Sequence, residues 1–205
     1  MESLGSRMLI SSGLPKLPEL PRLPRLFTMA VFQSIRDFFV PPTVFESEII
    51  LPAEPTAYEI YPLTDKQLQE VLKLNLRCFK AGENYTKYTF SYLLNEPQSL
   101  SYRVVAPNGQ MVAFIFLMVS KEDGTGHITT IGVAPEHRQR GLANKLLAHA
   151  EEALQKRGVS VVMLEVRISN RPAQNLYKRF GYATVQRLNH YYNNGEDGFL
   201  MVKSL

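Results

Sequence analysis

Ile128–Ala143, ITTIGVAPEHRQRGLA, is the stretch from which the rest of the chain can be read. Ile128 to Val133 is β-branched or apolar apart from one Gly, and Pro135 ends that run, which predicts a strand. Arg138-Gln139-Arg140-Gly141-Leu142-Ala143 follows and opens an amphipathic helix. A glycine-bearing loop at a helix start presents unpaired backbone N–H groups at the positive end of the helix dipole. That arrangement suits an anion, phosphate above all. The two arginines and Gln139 offer further donors at its rim.

Working outward, Leu142, Leu146, Leu147, Ala150 and Leu154 repeat at helical spacing up to Arg157, and Gly158 stops the helix. Val159–Val166 is apolar on both faces, as in a parallel strand inside a sheet, so strand, helix and strand form a right-handed crossover. Ser169-Asn170 with Pro172 starts another helix, which ends by Gly181. Tyr182–Tyr192 and Phe199–Leu205 are expected to form a last antiparallel pair. Upstream, Thr56–Leu63 is the first strand, and Thr64-Asp65-Lys66-Gln67 is a capping box. Leu68, Val71, Leu72, Leu76 and Phe79 form an apolar helical stripe. Lys80–Asn84 breaks it, and Tyr85–Leu94 is a second helix rich in aromatics. Ser101–Ala106 and Met111–Val119 flank Asn108-Gly109, a type I′ hairpin signal.

The bulk properties fit one globular domain with an extension. There are 205 residues with a formal net charge of +4, too small an excess to argue nucleic-acid binding. No window is apolar and long enough to span a membrane. The single cysteine, Cys78, precludes an intrachain disulfide and falls in a helical apolar pattern, so it reads as a packed thiol. Residues 1–55 read as a separate extension and 56–205 as the domain. Pro recurs about every third position in Leu14–Leu26, which favours polyproline II. A tail, an arm on the domain, a targeting segment, and a true start at Met29 all remain open for that stretch. Residues 29–41 suit a short helix packed on the domain or on a second subunit.

The motif R-x-x-G-x-A at Arg138–Ala143, between strand and helix, resembles the pyrophosphate-binding motif of the GNAT acyl-CoA N-acyltransferases. Leu164–Tyr182, LEVRISNRPAQNLYKRFGY, resembles the signature of the RimI-type protein N-terminal acetyltransferases. The resemblance covers roughly Tyr58 to Leu205. It implies an α/β GNAT fold, a mixed central sheet flanked by helices, with acetyl-CoA as co-substrate and no metal. It also implies that backbone near Ile131 and Val133 holds the pantetheine arm. The stretch Arg138, Gln139, Arg140, Gly141, Leu142, Ala143 and Asn144 would hold the pyrophosphate, and Asn170 would contact the coenzyme. Read alone, Asn170 is an N-cap.

Glu165 stands near the carboxyl end of the second parallel strand. A partly desolvated carboxylate there is a candidate base. An ion pair with Arg167, two residues on and on the same face, is the plain alternative, and the resemblance favours the base. Tyr177 reads alone as a core aromatic on the stripe Ala173, Leu176, Tyr177, Phe180. The resemblance makes it the general acid. None of the four His residues reads as catalytic. Gly82-Glu83-Asn84-Tyr85 is similar to a loop that borders the family's peptide groove. Glu83 is then a contact for the peptide amine or a solvated carboxylate, and Tyr85 a pocket wall or a packing residue. Asn189-His190-Tyr191-Tyr192 with Gly195-Glu196-Asp197 resembles the hairpin that closes over a peptide N-terminus. Tyr191 and Tyr192 would hydrogen-bond the peptide backbone.

The expected activity is transfer of an acetyl group from acetyl-CoA to the α-amine of a protein N-terminus, a ribosomal-protein alanine among the candidates. The expected partners are acetyl-CoA and a protein or peptide N-terminus, with neither nucleic acid nor membrane, in the cytoplasm. A small-molecule amine or lysine acceptor is the alternative. A non-catalytic acyl-CoA-binding module is the third reading.

Overall fold

Seven strands form one mixed sheet in the order β1-β2-β3-β4-β5-β7-β6. The structure, a computed structural model, describes residues 50–54, 56–79 and 85–205. The expectations for residues 1–49 and for Glu83 lie outside the described residues. The strands are β1 (Glu59–Pro62), β2 (Ser99–Val105), β3 (Met111–Ser120), β4 (Thr125–Val133), β5 (Val161–Arg167), β6 (Ala183–Leu188) and β7 (Gly198–Ser204). The helices are α1 (Leu68–Cys78), α2 (Lys87–Asn95), α3 (Leu142–Gln155) and α4 (Arg171–Arg179). Among the described residues only β4 and β5 pair in parallel, joined by the crossover through α3.

Local chemistry sets most boundaries. Gln67 Oε1 accepts the Thr64 N–H at 3.1 Å, as the capping box requires, and opens a 3-10 turn that leads into α1. The second helix begins at Lys87 rather than Tyr85, because the Thr86 hydroxyl accepts the Thr89 N–H and makes Thr86 the N-cap. The stripe of α1 is shifted from expectation. Val71, Leu74 and Asn75 are buried, whereas Leu76 faces outward.

The β2–β3 turn is not type I′. Gly109 has φ of +82° but Asn108 has no positive φ, and the Gly109 N–H returns to the Ala106 carbonyl. Pro107 explains this, since its ring fixes a negative φ at the first central position. The sixth strand also ends early, at Leu188. His190 turns left-handed at φ 49°, and its N–H is taken by the Asp197 carboxylate at 2.7 Å.

The two sheet faces are separately covered. Phe114 and Phe116 on β3 meet Phe90 of α2, so α1 and α2 lie on that face. Tyr102 of β2, paired with Ile115, packs its ring edge-on against His149 of α3, which therefore covers the opposite face. β3 is buried through most of its length, as its continuous apolar run requires.

Two irregularities make β4 leave its neighbour. The β3–β4 register shifts around Thr129, so that residue has no opposite number. The β4–β5 ladder ends at His127↔Met163, although β4 continues to Val133 and β5 to Arg167. Gly132 allows β3 and α1 to close on the departing strand. A Cβ there would lie 2.7 Å from Phe114 Cε1 and Cζ and 3.2 Å from Cys78 Sγ. Since Phe114 is wholly buried and cannot swing away, Gly132→Ala should lower stability by about 1–3 kcal/mol. Thermal unfolding would show this as a fall of roughly 2–4 °C for each kcal/mol; an unchanged Tm would mean that the Phe114 ring has room to move.

Candidate active site

The loop after β4 is shaped by backbone conformation. Gln139 and Gly141 both adopt left-handed φ, 61° and 74°, with Arg140 between them. Such alternation curls successive N–H groups toward a common point, the geometry of an anion nest. Gly141 is the N-cap of α3, and no side chain caps that helix among the described residues. The first-turn amides of Leu142, Ala143 and Asn144 therefore face the loop's concavity.

The two arginines, expected at the rim, also have protein partners. Arg138 donates from Nε to the Val133 carbonyl and from Nη2 to the Cys78 carbonyl, each at 3.2 Å. It ties the ends of β4 and α1 together. Arg140 Nη1 donates to the Glu54 carbonyl at 3.0 Å, and the Ala53 N–H donates to the Glu136 carbonyl at 2.9 Å. Residues 50–54 thus lie along the loop. Between them is an open groove of about 760 Å³, with Ile50, Pro52 and Tyr58 on one wall and Gln139, Arg140 and Lys145 on the other.

The loop is braced from α1 as well. Arg77 Nη2 donates to Glu136 Oε2 at 2.8 Å, and Tyr58 Oη lies 2.9 Å from His137 Nδ1. Burial holds His137 below the ordinary histidine value, so its ring is neutral at pH 7.

At the last rung of the parallel ladder stands a pair the sequence did not disclose. His127 Nε2 and Glu165 Oε2 are 2.7 Å apart, with side chains only 7% and 14% exposed. Register explains the meeting. His127 lies beside Met163, and Glu165 is one pleat further along the same face of β5. The alternative reading pairs Glu165 with Arg167, but Glu165 takes His127 and Arg167 takes Glu196. His127, which does not read as catalytic from the sequence, is buried against the candidate base. The signal in the sequence would have been the parallel register, which single-strand patterns do not carry.

Tyr177 comes from α4 and is 5% exposed. Its phenol is pushed upward, first by burial and then by the negative charge of Glu165, so it keeps its proton across any working pH. The Tyr182 ring packs on it at 5.7 Å. Asn170 Oδ1 accepts the Ala173 N–H at 3.1 Å and caps α4, as its position suggested. Ile131 and Val133 lie on β4 beyond the ladder, where no β5 partner faces them. The Tyr85 hydroxyl donates to the Thr129 carbonyl at the bulge, 3.1 Å away. Tyr191 and Tyr192 stand edge to face, 5.1 Å apart, on the β6–β7 connection.

The acetyltransferase (GNAT) family matches residues 68–182, more than half of the chain. The chain belongs to that family. Among curated relatives, an N-alpha-acetyltransferase of Sulfurisphaera tokodaii is 34% identical over 154 residues, 70% of this chain and 89% of that protein. A putative ribosomal protein bS18-alanine N-acetyltransferase of Bacillus subtilis is 35% identical over 118 residues, 57% of this chain and 77% of that one. Among solved structures, the ribosomal-protein-S18-alanine N-acetyltransferase of Escherichia coli superposes with a TM-score of 0.66 at 28% identity, covering 72% of this chain and 94% of that one.

This GNAT chain is an acetyl-CoA-dependent N-acetyltransferase, and its site fits that co-substrate. The β4 edge that turns from β5 offers unladdered backbone groups to an amide-bearing arm, and the nest before α3 suits a pyrophosphate. Among the described residues, no group of three or more His, Cys, Asp or Glu is placed to hold a metal ion.

Cys78, at the end of α1, stays outside the chemistry. Burial pushes its thiol up to about 12, against the smaller opposing pull of Arg138 and Arg77. At pH 8 the folded protein then carries about a thousandfold less thiolate than a thiol at the ordinary 9.0. Iodoacetamide at pH 8 should label Cys78 only after denaturation; labelling of the native protein at a free-thiol rate would show that the thiol is not desolvated.

Proposed function

We propose that this GNAT enzyme acetylates the α-amino group of protein N-termini, and that Glu165 with His127 forms its basic centre. The observation that carries the reading is the His127–Glu165 contact, at the point where β4 and β5 part. An amine arriving at that mouth as an ammonium must lose a proton before it can attack. Glu165 accepts that proton, and His127, within hydrogen-bond reach, shares and orients the carboxylate. As the C–S bond breaks, Tyr177, which burial keeps protonated, gives its proton to the departing thiolate, and the second proton shed by the attacking nitrogen restores the phenol. Acetyl-CoA brings the activated acetyl group as a thioester. Backbone at Ile131 and Val133 would hold its arm, the amides of Gln139–Asn144 its pyrophosphate, and Asn170 would contact the coenzyme. Arg138 and Arg140 shape the loop through Val133, Cys78 and Glu54.

The chain-end preference rests on the β6–β7 connection. Tyr191 and Tyr192 border the acceptor side and receive the peptide backbone, with Tyr85 bracing the β4 bulge. A ribosomal-protein N-terminal alanine is a substrate candidate, supported by the names of the Bacillus subtilis and Escherichia coli relatives. We place the reaction in the cytoplasm, where protein N-termini emerge, and a lone cysteine suits that setting.

The test is acetyl transfer to peptides with free Ala, Ser or Met N-termini, followed by mass spectrometry beside N-blocked, lysine-containing controls. Modification of the α-amine alone is expected. Glu165→Gln and Tyr177→Phe should each lower kcat/KM by about 10²–10⁴-fold for loss of proton transfer. Modification of lysine or of added polyamines alone would overturn the acceptor. Coenzyme binding without turnover would leave only a binding module.

A further inference from the structure

Beyond these catalytic roles, the β6–β7 connection is fastened to β5 by a single buried cation. Arg167 is the last residue of β5, with its side chain only 10% exposed. Its Nη1 donates to Glu196 Oε2 at 2.7 Å and to Asn194 Oδ1 at 3.0 Å. Its guanidinium carbon lies 3.8 Å from the centroid of the Tyr192 ring. One flat cation thus holds two polar ends of the connection at its edge and an aromatic on its face.

The connection closes around that cation. The Tyr192 N–H donates to the Glu196 carbonyl at 3.0 Å, and the Gly195 N–H to the Tyr192 carbonyl at 2.8 Å. Glu196 Oε1 also accepts the Ser169 N–H at 2.8 Å. Behind it, Gln174 Nε2 donates to the carbonyls of Arg167 and Ile168, each at 2.8 Å, and fixes the backbone from which the arginine projects. Gly198 leaves space for the ring pair, since a Cβ there would meet Tyr192 Cε2 at 3.3 Å and Tyr191 Cδ1 at 3.5 Å. Arg167 and Glu165 share one face of one strand, so the same rigid segment places the base and the Tyr192 ring.

We propose that Arg167 is a positioning residue for the acceptor peptide, acting through Tyr192 by stacking on its ring and holding Glu196 beside it. The proposal rests on the reading that Tyr192 meets the peptide N-terminus. Lysine at this position would keep a charge near Glu196 but lose the planar stack and the fork of donors. The peptide-binding step therefore suffers, while proton transfer at Glu165 and the coenzyme loop on the other side of β4 do not.

The experiment is a double-mutant cycle on the full chain: Arg167→Lys, Tyr192→Leu and the two combined, with kcat and KM measured for an Ala-starting peptide and for acetyl-CoA. Arg167→Lys is expected to raise the peptide KM about five- to tenfold, the range of a partly desolvated cation–π contact. The kcat and the acetyl-CoA KM should stay within about twofold. In the Tyr192→Leu background, Arg167→Lys should add almost nothing. Multiplying effects would overturn the proposal. So would a loss spread equally over kcat, peptide KM and acetyl-CoA KM, the pattern of general loosening. The unsubstituted enzyme is the control: if it turns over no peptide, the acceptor reading fails and this proposal with it, whereas peptide turnover with independent effects sinks this proposal alone.

Discussion

The break in the β4–β5 ladder after His127↔Met163 is the constraint on which the site depends. Parallel neighbours at the centre of a sheet would ordinarily continue pairing. Leaving buried backbone groups unpaired costs about 1–3 kcal/mol for each. The strands part because β4 is drawn elsewhere. The bulge at Thr129 turns the strand, and Gly132 lets it press onto Phe114 and Cys78. Arg138 then ties the Val133 carbonyl to the end of α1. Each contact pulls β4 toward α1 and β3, away from β5. The exposed edge that results is useful only to a ligand rich in amides, which can replace the missing ladder.

Glu165 and His127 follow from that geometry. At the last shared rung the strands are still close enough for facing side chains to touch, and one step later they are not. A carboxylate on a largely buried sheet face needs a polar partner there, since an unpaired one is costly to desolvate. His127 provides it from the neighbouring strand at 2.7 Å. The pair therefore marks the boundary between closed sheet and open cleft. Tyr177 reaches the same boundary from α4 on the other face, and the carboxylate's field adds to burial in keeping its phenol protonated.

Much of this was legible in the chain, and the reason is locality. The strand-loop-helix of Ile128–Ala143, the cap at Asn170 and the capping box at Thr64 each declare themselves within a few residues, and each stands where expected. Features that depend on what lies across the sheet were not legible. Nothing near His127 announces Glu165, because the parallel register that joins them is fixed by α3 and the core beneath it. Arg167 seemed to belong to Glu165 by spacing, yet its partners come from the β6–β7 connection. Even the hairpin at Asn108-Gly109 was settled one residue earlier than its signal, by Pro107.

The fates of the arginines show how charge is distributed over the enzyme. Arg138 and Arg140 stand in the motif that suggests phosphate, yet the contacts they make are to carbonyls of Val133, Cys78 and Glu54. The loop's concavity is left to backbone amides held at a fixed curvature by Gln139 and Gly141, a shape that suits an anion. Recognition by fixed dipoles demands a rigid loop, and the arginines supply the rigidity. At the β6–β7 connection the logic repeats with Arg167, which spends its charge on Glu196 and its flat face on Tyr192. In both places a cation organises the backbone and rings around it. A surface held in this way has the fixed shape of its backbone and rings, which charge alone would leave loose.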